Sequence, residues 1–172
     1  HRSVSKVVHV QDAPLSKLQQ AHYDMMRKRL VIYAGQHQIT AANAAVLLGK
    51  LLQICAGAVK TDGGEYIGLD LTPRLAVLDE LIEQAQAKVI VVVPYTGALR
   101  LVYEHVKKHH SVELVDGGTS RTQRGRIFGA FQDHADPEII VANPEVLAHG
   151  MNLTAADLFV WLSPIHSIDI YD

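Results

Sequence analysis

The sequence predicts an α/β fold with an open, mostly parallel sheet and helices on both faces, and two observations carry that prediction. From residue 72 onward, helical patterns alternate with short apolar strands, which is the order of a βαβ series. The strand predicted at 88–93 is apolar on both faces, as expected for a strand between two helix layers. Right-handed crossovers would then place these strands in one parallel sheet.

Residues 1–71 show a different pattern, from which we expect a short strand followed by a helical brace. Valines dominate 7–10 and predict the strand. The first helix should begin near Ser16, because Ser16 and Gln19 stand at the spacing of a capping box. Apolar residues then recur every three or four positions as far as Tyr33.

A second helix is expected over 40–55, since Thr40 can begin it and Gly57 can end it. Its predicted buried stripe consists of Ala44, Leu47, Leu48, Leu51 and Ile54. Cys55 is the single cysteine of the chain, so it cannot form an internal disulfide, and it fits a packing role in a reduced compartment. An Asp-Gly pair within 59–67 predicts a small hairpin or irregular loop.

Residues 72–172 form the second predicted unit, in which helices and strands follow one another regularly. Thr72 and Pro73 supply a cap and a first-turn proline for its first helix. After the strand at 88–93 we expect helices at 97–109 and 120–131 and strands at 112–115, 138–142 and 158–162. Phe159 and Trp161 lie in the last of these strands, and we expect both in the core.

The composition is that of a globular protein without a strongly basic surface. With 172 residues, 48% of them hydrophobic, the chain is long enough to bury a core. Its formal net charge of -2 excludes the basic footprint of a free-standing nucleic-acid binder, so any nucleic-acid contact must be local. No apolar run approaches the roughly 20 residues of a membrane span, and we expect no membrane partner and an intracellular, cytoplasmic location. Because the chain begins at His1, we expect it to belong to a longer protein.

Polar loops follow three of the predicted strands, at the edge where open α/β sheets bind ligands. These loops are 94–96, 116–120 and the pair Asn143-Pro144. Two interpretations of 116–120 stand side by side. Its glycines and hydroxyls can form a tight turn and cap the next helix. The same N–H groups and hydroxyls, at a helix N-terminus, can also hold a nucleic-acid phosphate.

Three segments stand in the order of the motifs of a motor family. Residues 88–95 resemble the strand that opens its second lobe, 116–124 resemble G-S-T-S-x-x-x-R, and 139–157 resemble the segment ending in G-x-G-x-N-L-t-x-A-d. Together they resemble the C-terminal, RecA-like motor lobe of the Swi/Snf-like, superfamily-two helicase-related ATPases. The helical segments before residue 72 are similar to those that precede this lobe.

The resemblance implies a lobe that contacts the DNA backbone independently of sequence and forms half of an ATP cleft. The implied DNA contacts are Gly117, Gly118, Thr119, Ser120 and Asn143. Gly150 and Asn152 would approach the nucleotide, and ATP and Mg2+ would be shared with a first motor lobe of the same polypeptide. Two departures stand out, since Asn143 replaces the usual Ser or Thr and Leu147-Ala148 replace the usual Gly-Gly.

The parts that hydrolyse ATP are expected elsewhere. The chain contains no G-x-x-x-x-G-K-[ST] loop, and the Q-x-x-x-R-x-x-R segment with the arginine finger would follow Asp172. We therefore expect no catalytic residue here and no activity of this chain alone. The alternative is a self-contained α/β nucleotide-binding or protein-interaction module without motor activity, which would explain the sheet equally well.

Two further patterns resemble metal-binding motifs, but we do not expect either to bind a metal. The DExx-like string at 79–82 falls on a predicted helix face, whereas magnesium-binding acids belong at the end of a strand. His105 and His109 share a helix face, but no third ligand stands at a matching spacing, so we expect no metal site.

Overall fold

The computed structural model describes residues 7–35, 41–147 and 153–163. In chain order these residues form α1 (Lys17–Gly35), α2 (Ala41–Ala56), β1 (Ala58–Lys60), β2 (Tyr66–Gly68), α3 (Thr72–Gln84), β3 (Lys88–Val92), α4 (Thr96–Val106), β4 (Val112–Val115), α5 (Arg121–Asp133), β5 (Ile139–Ala142), α6 (Pro144–Leu147) and β6 (Ala156–Trp161). None of the helices in these three ranges combines the length and the apolar character that crossing a bilayer requires.

A four-stranded sheet in the order β4-β5-β3-β6 forms the centre of the fold. All three strand pairs are parallel, with Val89 opposite Ile139 on one side and Leu158 on the other. Helices connect the strands, as parallel pairing requires, because the chain must return to the same end of the sheet before each new strand. The predicted open parallel α/β sheet is confirmed.

Alternate residues of β3 face different helix layers, which explains why this strand is apolar throughout. Val89 and Val91 pack with α3 and α4, whereas Ile90 and Val92 pack with α5. The first layer contributes Leu78, Ile82, Leu99, Val102 and Val106, and the second contributes Ile127, Phe128 and Phe131. Full burial of side chains of this size is worth about 1.5–3 kcal/mol each, so the two layers hold β3 firmly in place.

A single glutamine caps both helices of the brace. The Gln19 side-chain oxygen accepts from the Ser16 amide at 3.0 Å, and Ser16 Oγ accepts from the Gln19 amide at 3.2 Å, which confirms the predicted capping box. Gln19 Nε2 also donates to the Ile54 carbonyl at 2.9 Å, near the end of α2. The start of α1 therefore lies against the end of α2, and the two helices run antiparallel.

The predicted hairpin is confirmed as β1 and β2, which pair antiparallel with Val59 opposite Ile67. It packs against the first turn of α4, where a Cβ on Gly97 would lie 2.6 Å from Tyr66 Cδ1 and 2.8 Å from Ala58 Cβ. A glycine is therefore needed at position 97 for the hairpin to approach the helix.

Several local predictions are wrong, and each failure has a physical reason. Residues 7–16 have no regular secondary structure, because no partner strand lies beside them within the described residues. Leu48 is 46% exposed, although we expected it in the buried stripe of α2, because the contacts of that helix cover a narrower face. Phe159 is 47% exposed rather than in the core, since β6 is an edge strand.

Two features near helix starts also differ from expectation. Thr72 is the first residue of α3 and not its cap, and Leu71 occupies the cap position without a side-chain bond. The hydroxyl and the amide of Thr72 instead donate to Asp70 Oδ1 at 2.6 and 3.0 Å. The short helix α6 was not predicted. The division of the chain after residue 71 stays a prediction.

Gly57 ends α2, and its replacement gives a test of this junction. Its φ of +104° lies in the left-handed region, and an added Cβ would lie 2.2 Å from Leu71 Cδ2. Gly57→Ala should lower the free energy of unfolding by about 1–3 kcal/mol through overpacking alone. Gly49→Ala on α2 is the matched control, because no atom lies within 4 Å of its added Cβ, and it should raise stability by up to about 1 kcal/mol. Urea unfolding measures both variants, and equal effects would contradict this account.

Candidate functional site

Three loops meet at the carboxyl edge of the sheet, as the sequence predicted. Residues 93–95 follow β3, residues 116–120 follow β4, and Asn143 follows β5. Because β5 lies between β4 and β3, Asn143 occupies the middle of the three loops. This edge is where parallel α/β sheets place their ligands.

Asn143 fastens the loops on either side of it. Its backbone amide donates to the Val115 carbonyl at 3.2 Å, and its side-chain Nδ2 donates to the Val93 carbonyl at 2.8 Å. The side chain is buried, with 6% exposure for the residue. Asn143 therefore extends the pairing of three neighbouring strands beyond their ends and fixes the spacing of the loops.

This position bears on the DNA contact that the resemblance implied for Asn143. A buried side chain whose amide nitrogen is bonded to Val93 presents little surface to a phosphate. Direct contact with DNA stays a prediction for this residue, whereas its part in holding the loop after β3 is visible in the geometry.

The loop 116–120 is a tight turn organised by one carboxylate. Asp116 Oδ1 accepts from the Gly118 amide at 2.9 Å and from Thr119 Oγ1 at 3.2 Å. In return, Thr119 Oγ1 accepts from the Asp116 amide at 3.0 Å. Asp116 was not among the predicted site residues. An aspartate two residues before a glycine is nevertheless a sequence signal of an Asx turn, in which the carboxylate accepts from the glycine amide.

Ser120 caps α5 from the end of the same loop. Its Oγ accepts from the Gln123 amide at 3.3 Å, and Gln123 Oε1 accepts from the Ser120 amide at 3.2 Å, which completes a capping box. Arg124 Nε donates to the Thr119 carbonyl at 2.8 Å and braces the turn from inside the helix. The turn-and-cap interpretation is thus confirmed, and it leaves the phosphate interpretation standing beside it.

The surface of this loop has the character of an anion-binding surface. Gly117 and Gly118 are exposed, and a Cβ on Gly117 would meet no atom within 4 Å. The N-terminus of α5 lies next to them and carries the positive end of the helix dipole, about half an elementary charge. Arg121, in the first turn of α5, is exposed and adds a full positive charge.

The implied nucleotide contacts Gly150 and Asn152 lie outside the described residues. The chain on either side of them is anchored, because Leu147 at the end of α6 and Leu153 before β6 both pack against the core layer of α5.

The structure describes both the DExx-like string and the histidine pair. The string at 79–82 lies on α3, as predicted, and Asp79 Oδ1 is 2.8 Å from Nε2 of His105. His105 therefore faces a carboxylate on the neighbouring helix. Across the described ranges, no group of three or more His, Cys, Asp or Glu residues is placed to hold a metal ion.

Residues 73–172 match the family described as the helicase conserved C-terminal domain. The match spans more than half of the chain, and the chain belongs to this family. Comparison with curated proteins gives no match.

Solved structures show the same fold at low sequence identity. The C-terminal domain of the Sulfolobus solfataricus SWI2/SNF2 ATPase has a TM-score of 0.68 and 21% identity, with 84% of this chain and 66% of that chain covered. The C-terminal part of the Fun30 ATPase domain has a TM-score of 0.69 and 13% identity, covering 91% and 74%. The Sulfolobus solfataricus SWI2/SNF2 ATPase core in complex with dsDNA has a TM-score of 0.71 and 21% identity, covering 87% and 33%.

The chain thus spans just under two thirds of the first of these structures and one third of the ATPase core in complex with dsDNA. The fold is RecA-like, and the resemblance to the Swi/Snf-like C-terminal lobe, inferred from three short motifs, is confirmed.

Loss of the Asn143 side chain tests the junction between the loops. Asn143→Ala leaves the Val93 carbonyl without its donor and should lower the free energy of unfolding by about 1–3 kcal/mol. Gln86→Ala is the control, because the Gln86 side chain is exposed and its loss should change stability by less than about 0.5 kcal/mol. Urea unfolding measures both variants, with the same dependence of the unfolding free energy on urea concentration used for each. An unchanged free energy of unfolding in Asn143→Ala would show that the bond to Val93 is dispensable.

Proposed function

We propose that this chain is the C-terminal lobe of a Swi/Snf-like ATP-dependent DNA helicase or translocase, a DNA-associated protein inside the cell. The observation that carries the proposal is the loop 116–120, which presents exposed glycines and the start of α5 at the carboxyl edge of a helicase-family sheet. A structure of the same fold is described as an ATPase core in complex with dsDNA, which supports DNA as the partner.

DNA would be bound through its phosphates. With a formal net charge of -2 the whole chain does not attract DNA, so the contact depends on the local surface of Gly117, Gly118 and the first turn of α5. The Gln123 amide is taken by the Ser120 cap, whereas the Arg121 and Thr122 amides have no acceptor within α5 and can donate to a phosphate oxygen. The hydroxyls of Thr119 and Ser120 support this surface, since the first is bonded to Asp116 within the loop and the second to Gln123 in α5.

ATP and Mg2+ would lie between this lobe and a first motor lobe. This chain fits half of such a site, because it contains no G-x-x-x-x-G-K-[ST] loop and the described residues offer no acidic cluster for the metal. Gly150 and Asn152 would approach the nucleotide from this side. ATP would favour closure of the two lobes, and hydrolysis would let them open again. Each cycle would therefore change the distance between the DNA-backbone contacts of the two lobes.

A change of charge at Gly117 tests the phosphate contact. Gly117→Asp should weaken DNA binding by the complete two-lobe protein about fivefold, because a like charge about 4 Å from a phosphate costs about 1 kcal/mol in water. Gly117→Asn is the isosteric control and should bind within about twofold of the original protein, since position 117 has space for either side chain. Fluorescence anisotropy with duplex DNA measures both, and the difference should shrink as salt increases. Equal affinities of the two variants would argue against a phosphate at this loop.

The division of the cleft between two lobes gives a second test. This chain alone should release no phosphate from ATP, with or without duplex DNA, whereas the complete protein should hydrolyse ATP faster when DNA is added. Absence of the finger arginine alone costs roughly 10³ to 10⁵ in rate. Turnover by the isolated chain that persists through a second purification would contradict the two-lobe proposal.

A further inference from the structure

Arg74 on α3 makes a contact that spans 88 residues of sequence. Its Nη1 donates to the Leu162 carbonyl at 2.6 Å. Leu162 follows β6, and its own amide donates to the Val92 carbonyl at 3.0 Å. Both backbone polar groups of Leu162 are therefore held, one by the sheet and the other by α3.

Within the described residues, the charge on Arg74 is not matched by an acid. None of the ion pairs among the described residues involves Arg74. Burial lowers the pKa of the Arg74 guanidinium, and its interaction with Cys55 opposes that shift. A guanidinium stays charged in proteins, so this position holds a half-buried charge against a neutral carbonyl. Such an arrangement carries a desolvation cost and is poorly explained by stability alone.

Arg74 also lies where the helical brace meets the sheet. Cys55, in the last turn of α2, is close enough for an electrostatic interaction with it. One turn before Arg74, the Leu71 side chain packs directly against Gly57 at the end of α2. The start of α3 thus contacts the end of the brace on one side and the end of β6 on the other.

β6 ends at the edge of the sheet that carries the loops of the candidate site. β6 pairs with β3, so Leu162 lies beside Val92 and next to the loop at 93–95. The following residue, Ser163, is 5% exposed, and its Oγ has no hydrogen-bond partner within the part of the chain that the structure describes. The end of β6 is therefore packed into the fold next to the candidate site.

We propose that Arg74 is a positioning residue of the motor. By holding the Leu162 carbonyl, it fixes the end of β6 beside the loop at 93–95, and it ties that end to the position of the brace. The inference rests on the proposed function, because it matters only if the two lobes close around ATP.

The test compares two substitutions of Arg74 in the complete two-lobe protein. Arg74→Gln removes the charge and the guanidinium fork and should lower kcat for DNA-stimulated ATP hydrolysis about tenfold, since small misplacements in an active site can cost up to roughly 10². The KM for ATP and the DNA affinity should stay within about twofold, because a residue that acts through the Leu162 carbonyl binds neither ligand itself. Arg74→Lys keeps one donor and the charge and should give an intermediate kcat, about threefold below the original protein.

Two further measurements separate positioning from a general loss of structure. Arg100→Gln, which replaces an exposed arginine on α4, should leave kcat unchanged within about twofold. Hydrogen exchange at the Leu162 amide should become faster in Arg74→Gln while the amides of β5 keep their protection. A loss of kcat with unchanged hydrogen exchange at the Leu162 amide would overturn the inference that Arg74 acts by holding the Leu162 carbonyl.

The outcomes distinguish this inference from the proposed function. If the unsubstituted complete protein shows no DNA-stimulated hydrolysis, the proposed function fails and the inference fails with it. If that protein is active and Arg74→Gln retains kcat within about twofold, only the inference is overturned. Should Arg74→Gln not fold, Arg74→Lys decides, because the original kcat at an unchanged Tm overturns the inference and a reduced kcat at that Tm supports it.

Discussion

The fold depends on one constraint, which is that β3 must be covered on both faces. Val89 and Val91 face one helix layer while Ile90 and Val92 face the other, and all four are almost completely buried. A strand of this kind is stable only at the centre of an α/β sandwich, with parallel neighbours supplied by helical crossovers. That arrangement brings the loops after β3, β4 and β5 to one edge, so burial at the centre of the sheet creates the surface on which the candidate site lies.

The site itself is stabilised by short polar bonds and not by apolar packing. Asp116 and Thr119 shape one loop through bonds within it, and Ser120 joins that loop to α5. Asn143 then links it to the neighbouring loop after β3. Bonds between residues close in sequence therefore set the shape of the loop at 116–120, while the bonds of Asn143 set its distance from the loop after β3.

The sequence was sufficient for what depends on local pattern. Periodicity located the sheet, and spacing alone identified the cap formed by Ser16 and Gln19. The sequence-based prediction was wrong where the exposure of a side chain depends on its tertiary neighbours. Phe159 is an aromatic residue of the kind found in cores, but it lies on an edge strand and is exposed. It also could not show that Arg74 reaches Leu162 or that Asn143 reaches Val93, because such contacts are fixed only when distant elements pack.

The double cap made by Gln19 has a consequence for the dynamics of the brace. Helix ends normally fray independently, each through its own unpaired backbone groups. Here one amide side chain bonds to both the beginning of α1 and the end of α2, so its loss would weaken the two ends together. The Ser16 hydroxyl and the Gly57 amide would still cap one end each, so the glutamine couples two caps that each have a second bond.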